Sequence, residues 1–155
     1  MICINIPGQA VAFARAGAHG KRRFTPPKQA DYMAVVRRYV DDAMRAARAS
    51  VIDGPVRMTV HAHYTPPASW SARKRATAFH KTSKPDVDNI AKLVKDACNG
   101  VAYRDDAQIT ELVARKTYGP EDRLFISIEA TRMSDVLASK SLEAAFIDVS
   151  GVLNS

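Results

Sequence analysis

The segment Val56-Arg-Met-Thr-Val-His-Ala-His-Tyr64 alternates without a break. Val56, Met58, Val60, Ala62 and Tyr64 are apolar or aromatic, and Arg57, Thr59, His61 and His63 between them are polar. Successive side chains of a strand point to opposite faces, so a period of two specifies a half-buried strand, here stopped by Pro66-Pro67. Such a strand needs sheet partners on its edges and an apolar layer on one face only. The rest of the chain has to provide both.

The partners are legible. Ile2, Ile4 and Ile6 alternate with Cys3 and Asn5 and predict a first strand ending at Pro7-Gly8. Leu124, Ile126, Ile128 and Ala130 alternate with Phe125, Ser127 and Glu129, and residues 107–118 predict a less regular strand before them. Gly119-Pro-Glu-Asp122 between these two reads as a hairpin turn. Two helical patterns offer the covering layer. Between Lys28 and Ala49 the residues Tyr32, Val35, Val36, Tyr39, Val40, Ala43, Met44 and Ala47 recur at helical spacing, after Thr25-Pro-Pro and before Asp53-Gly-Pro55. Pro85 forces Lys84 into an extended conformation, so the second helix begins only after it. Val87, Ile90, Ala91, Val94, Ala97 and Cys98 are its apolar stripe, closed by Asn99-Gly100.

Residues 8–27 show no helical face and predict a long basic loop, and 68–80 a short basic helix or ordered loop around Trp70. Trp70 reads as a core residue, with stacking on DNA as the alternative. Leu142, Ala145, Phe146 and Val149 predict a C-terminal helix, packed either on a partner at a dimer interface or on its own core. The expected architecture is α+β: a small mixed sheet with two main helices packed on it, in a domain over 1–131, followed by an extension over 132–155.

A chain of 155 residues can bury one core, and 46% hydrophobic with 25% charged residues is ordinary for a globular protein. No apolar run approaches the roughly 20 residues of a membrane span, and the first residues lack the basic start of a secretory signal. Cys3 and Cys98, far apart and without metal-type spacing, predict free thiols in a reducing, cytoplasmic setting.

The formal charge of +7 is unevenly spread. Residues 1–30 hold no acid but hold Arg15, Lys21, Arg22, Arg23 and Lys28. The stretch from Gly54 to Pro85 is also acid-free and carries Arg57, Arg73, Lys74, Arg75, Lys81 and Lys84. Such blocks suit nucleic-acid phosphates, though a solvated basic surface explains them as simply. Immediately after them come Asp86, Asp88 and the pair Asp105–Asp106.

At 100° per residue Asp88, Lys92, Lys95 and Asn99 share the polar face of the second helix, with Asp86 at its entry. Mg²⁺ takes one or two carboxylates together with waters and phosphate oxygens. Asp86 and Asp88 supply two such ligands, one of Asp105 and Asp106 a third, and Lys92 a cation for the phosphate. Each acid also has a purely structural explanation. Asp86 suits an N-cap, Asp88 is favoured by the helix dipole, and the Asp105–Asp106 pair suits a turn. His61 and His63 share a strand face without a third ligand and read as sheet-surface residues. His80 reads as a surface loop residue, with a phosphate contact when protonated as the alternative, and Cys98 reads as core.

The stretch Lys84-Pro-Asp-Val-Asp-Asn-Ile-Ala-Lys-Leu-Val-Lys-Asp-Ala97, with Asn99-Gly-Val-Ala-Tyr-Arg-Asp-Asp-Ala-Gln-Ile109, closely resembles the signature of the RusA family of Holliday junction resolvases. The likeness continues more weakly through Ser69–Arg75 and Phe24–Tyr32. It implies a homodimeric, Mg²⁺-dependent endonuclease acting in recombination and repair, which nicks opposing strands of a four-way DNA junction. It also implies that Asp86, Asp88 and Asp106 are the metal-binding catalytic acids and Lys92 the catalytic lysine, with Asp105 and Gln108 matching the motif. Many relatives carry a Lys/Arg/Pro-rich loop after the first strand. Here Gln9-Ala-Val-Ala-Phe-Ala-Arg-Ala-Gly17 keeps only Arg15 at a matching basic position, and Lys21, Arg22 and Arg23 follow it.

The expected DNA contacts are therefore Arg15, Lys21, Arg22, Arg23, Arg73, Lys74, Arg75, Lys81 and Lys84. The competing reading is a non-catalytic DNA-binding module whose aspartates only cap and turn. Enzymes that use D-x-D to hold Mg²⁺ on a nucleotide-sugar lack this lysine and D-D-x-Q arrangement.

Overall fold

The alternating segment is one of the two inner strands of a four-stranded sheet. The computed structural model describes residues 1–14, 17–19, 22–24, 26–131, 137 and 140, with the backbone alone at 17–19 and 22–24. In chain order the elements are β1 (Ile2–Pro7), β2 (Gly17–His19), β3 (Arg22–Phe24), α1 (Pro27–Ala46), β4 (Val56–Tyr64), α2 (Ala72–Thr77), α3 (Val87–Cys98), a single 3-10 turn (Asp106–Gln108), β5 (Ile109–Tyr118) and β6 (Arg123–Ala130).

The sheet order is β1-β6-β4-β5. β6 is antiparallel to both β1 and β4, and β5 is parallel to β4. A parallel pair needs a long crossover, and residues 65–108, which include α2 and α3, provide it. Val56, Met58, Val60, Ala62 and Tyr64 are all at most 2% exposed, as the alternation requires. They meet Ile4 and Ile6 of β1 and Leu124, Ile126 and Ile128 of β6 in one core. Val36, Val40 and Met44 of α1 and Ile90, Leu93, Val94 and Ala97 of α3 close that core from the helical side. The opposite face has no covering element among the described residues. There Arg57 pairs with Glu111 at 2.6 Å and Glu129 at 3.5 Å.

Several local expectations need correction. The loop over 8–27 contains the antiparallel ribbon β2–β3. Gly119–Asp122 does not join neighbouring strands, because β4 lies between β5 and β6. The connection instead crosses the end of β4. The Gly119 N–H donates to the Tyr64 carbonyl at 3.0 Å, and the Asp122 carboxylate accepts from the Thr65 N–H at 2.6 Å. A Cβ at Gly119 would lie 2.6 Å from His63 Nδ1, which explains the glycine. Trp70 is not in the core. It is half-buried, edge-on to Tyr118 at 5.2 Å, with the Lys74 ammonium 4.0 Å from its ring centroid. α1 stops at Ala46, and Arg48, at φ 50°, turns the chain away.

Cys3 and Cys98 are both free thiols, Cys3 exposed and Cys98 in the core as expected. The predicted C-terminal helix lies outside the described residues, as do Arg15 and Lys21. Among the described residues no helix is long and apolar enough to cross a membrane.

Candidate active site

The segment before α3 is fixed from β5. Lys116 Nζ donates to the Ser83 carbonyl at 2.8 Å and to the Pro85 carbonyl at 2.6 Å, so the chain enters the helix from a pinned position. Asp86 occupies the N-cap, and its carbonyl accepts the Ile90 N–H at 3.2 Å. Its side chain, however, makes no capping hydrogen bond. An N-cap aspartate ordinarily satisfies an orphan N–H of the first turn. Here that carboxylate is exposed and left for other partners.

Asp88, in the first turn, is exposed as well, and Lys92 stands one turn beyond it. Asp88, Lys92 and Lys95 line a cavity of about 400 Å³ closed on the other side by Leu112 and Ala114 of β5. Asp86 opens into a neighbouring cavity of about 540 Å³, with Lys28, Lys81 and Lys84 on its walls. Asn89 lines both cavities. Its carbonyl accepts the Phe13 N–H at 2.8 Å, which docks the loop after β1 against α3. The same loop is held from α1, where buried Gln29 accepts the Ala14 N–H at 2.8 Å.

The Asp105–Asp106 pair divides its work. Asp105 accepts the Ala107 N–H at 2.8 Å and forms a capping box with Gln108. The Gln108 side chain accepts from the Arg104 and Asp105 N–H groups and donates to the Ile52 and Gly54 carbonyls. That bolts the 3-10 turn to the entry of β4. Asp106 takes no part and reaches α3 instead, 3.4 Å from Lys95 Nζ. Lys92 is 3.3 Å from Asp96, with its ammonium 4.7 Å from the Phe13 ring centroid.

α3 and the turn after it thus bring Asp88, Lys92, Lys95 and Asp106 to one side of the helix, while Asp86 faces the adjoining lysine-lined cavity. Among the described residues no three His, Cys, Asp or Glu side chains stand together as a ready metal cage. A magnesium ion does not require one, since it usually keeps waters and takes only one or two carboxylates beside phosphate oxygens. The carboxylates present are hard oxygen donors, and Asp86 has lone pairs that capping leaves unclaimed. The donor set therefore fits.

Of the predicted DNA contacts, Arg73, Lys74 and Arg75 are exposed on α2, a helix with no buried residue. Lys81 lies over the rings of Tyr64 and Tyr118, at 5.0 and 5.6 Å, and Lys84 is on the wall of the Asp86 cavity. Arg22 and Arg23 belong to β3, where only the backbone is described. Sequence reasoning placed Lys28 in a basic block suited to phosphates without assigning it to the site, and it gave Asn89 no role. Lys28 enters the site only because the first turn of α1 packs beside the start of α3, and no local pattern announces that.

A sequence profile of the family described as Endodeoxyribonuclease RusA matches residues 7–129. The chain is also 34% identical over 140 residues to Uncharacterized protein YqaN of Bacillus subtilis (strain 168), which covers 83% of this chain and 96% of that protein.

Proposed function

We propose that this chain, which belongs to the RusA endodeoxyribonuclease family, is a Mg²⁺-dependent nuclease that resolves four-way DNA junctions by paired nicks on opposing strands. The observation that carries the reading is the division of labour around α3. Asp105 and Gln108 do the local structural work, while Asp86, Asp88 and Asp106 are left free of capping beside a row of lysines. A purely structural role for the acids predicts a capping bond from Asp86, and it makes none.

Asp86, Asp88 and Asp106 would hold the ion. When bound, it supplies Lewis-acid polarisation of the phosphate and a water of lowered pKa. Lys92 places a cation where charge grows on the phosphate, the kind of stabilisation that dominates many hydrolytic sites. Lys28, Lys81 and Lys84 hold flanking backbone phosphates, and Arg73, Lys74 and Arg75 extend the grip without reading sequence. A homodimer suits the task, because a two-fold enzyme places one site on each side of a two-fold junction. Two free thiols agree with work in the cytoplasm, in recombination and repair.

The test is incubation of the protein with an end-labelled four-way junction and with linear duplex of the same sequence, each with and without Mg²⁺. Junction-selective, Mg²⁺-dependent nicks at symmetric positions are expected. Equal cutting of duplex and junction overturns the resolvase reading but keeps the nuclease. Binding without any cutting leaves a DNA-binding module.

A further inference from the structure

The open face of the sheet carries a second basic site, built around Arg115, on the side away from α1 and α3. Phe125, His61 and Arg115 are in register across β6, β4 and β5, and Arg123, His63 and Thr117 form the next row. His80 bridges to Thr117 at the outer edge. His61, Phe79, His80, Arg115 and Thr117 line a cavity of about 340 Å³ whose lining includes no carboxylate. The acids of this face are engaged elsewhere. Glu111 and Glu129 pair with Arg57 at the far end, and Glu121 pairs with Arg123. Arg115 is exposed and has no ion-pair partner among the described residues.

The neighbouring rings suit a nucleotide better than a bare ion. Phe79 is 61% exposed and stands edge-on to His80 at 4.9 Å. The His61 and His63 rings are 4.2 Å apart, and His63 meets Phe125 edge-on at 5.3 Å.

This cavity also connects to the candidate active site. The Tyr118 N–H donates to the Phe79 carbonyl at 2.7 Å, which starts residues 79–85 along the edge of β5. The segment carries His80 on the open face, Lys81 over Tyr64 and Tyr118, and Lys84 on the wall of the Asp86 cavity. Arg115, Lys81 and Lys84, with His80 between the first two and no acid among them, lead round the sheet edge from one cavity to the other.

We propose that the cavity between His61, His80 and Arg115 is a secondary backbone-phosphate site for the DNA substrate, occupied by a strand that leaves the Asp86 cleft around the edge of β5, with Phe79 placed to stack on an unpaired base. This rests on the proposed function for the identity of the ligand. It is carried by charge complementarity with a polyanion and by continuity with the cleft.

Each phosphate contact contributes about one unit to the slope of log affinity against log salt. The experiment measures that slope for the full chain and a fluorescent four-way junction without Mg²⁺. Arg115→Ala is expected to lower the slope by about one unit and Arg115→Lys to keep it, while Phe79→Ala weakens binding with the slope unchanged. An unchanged slope in Arg115→Ala overturns the site. So does a change in that variant's oligomeric state by light scattering, which would make this face a contact between copies of the chain. If the native protein binds the junction but does not cut it, the proposed catalysis fails while the slopes still decide the site. If it binds no DNA, both fail.

Discussion

Two adjacent aspartates with different duties are the sharpest residue-scale feature. Asp105→Ala removes the acceptor of a capping box, a change that typically costs about 0.5–2 kcal/mol, and is expected to lower the urea midpoint while the folded protein still cuts. Asp106→Asn is expected to do the reverse, leaving the midpoint in place and abolishing Mg²⁺-dependent cleavage. The two thiols differ as clearly. Burial pushes the Cys98 thiol up to about 12, while Cys3 is exposed. Iodoacetamide at pH 8 is therefore expected to modify Cys3 alone in the native protein and both thiols in urea, as read by mass spectrometry.

Burial, with the nearby charges of His63 and Arg115, holds His61 below the usual histidine range. The unfolded chain then takes up that proton more readily than the folded one. The His61 contribution is fully present above the ordinary histidine pKa near 6.5 and is lost as pH falls from there through the lower folded-state value. Urea melts at pH 7.5 and 5.5 are expected to show a smaller loss of stability on acidification in His61→Gln than in the native protein.

At the scale of elements, the covering helices carry the core. Leu93→Ala in α3 empties a fully buried position and is expected to cost about 2–5 kcal/mol in urea unfolding. The strands and helices whose pattern is local were legible in the sequence: β4 by alternation, and α1 and α3 by their apolar stripes. The start of α3 was legible too, because Pro85 constrains the residue before it. The neighbours of β5 and β6 were not. Gly119-Pro-Glu-Asp122 has the composition of a hairpin turn, but β4 already occupies the space between the two strands. The turn residues serve that crossing instead, with Gly119 yielding room to His63 and Asp122 capping β4. Trp70 failed as a core prediction for a related reason: α2 buries nothing, so its large ring rests on Tyr118 at the surface. Within the site, helical period alone placed Asp88 and Lys92 on one face. Periodicity gave no means of ranking Asp105 against Asp106; the family resemblance put Asp106 forward, and the capping geometry supplies a physical reason for the difference.

For the whole molecule, the acid-free stretch from Gly54 to Pro85 becomes spatially intelligible. It runs through β4, α2 and the strip along β5, so its cations reach both the α3 cleft and the open sheet face. Asp86, Asp88 and Asp106 then stand beside Lys28, Lys81, Lys84, Lys92 and Lys95, the setting that the proposed function requires. The central claim, that these acids cut DNA rather than shape the fold, is tested most directly with Asp88→Asn. Native and variant protein are incubated with an end-labelled four-way junction in Mg²⁺, cleavage is read on a denaturing gel, and binding is read in parallel without the metal. The account predicts paired nicks from the native protein and none from Asp88→Asn, which binds the junction as tightly or more so. Equal cutting by both proteins, or loss of binding in step with loss of cutting, would contradict it.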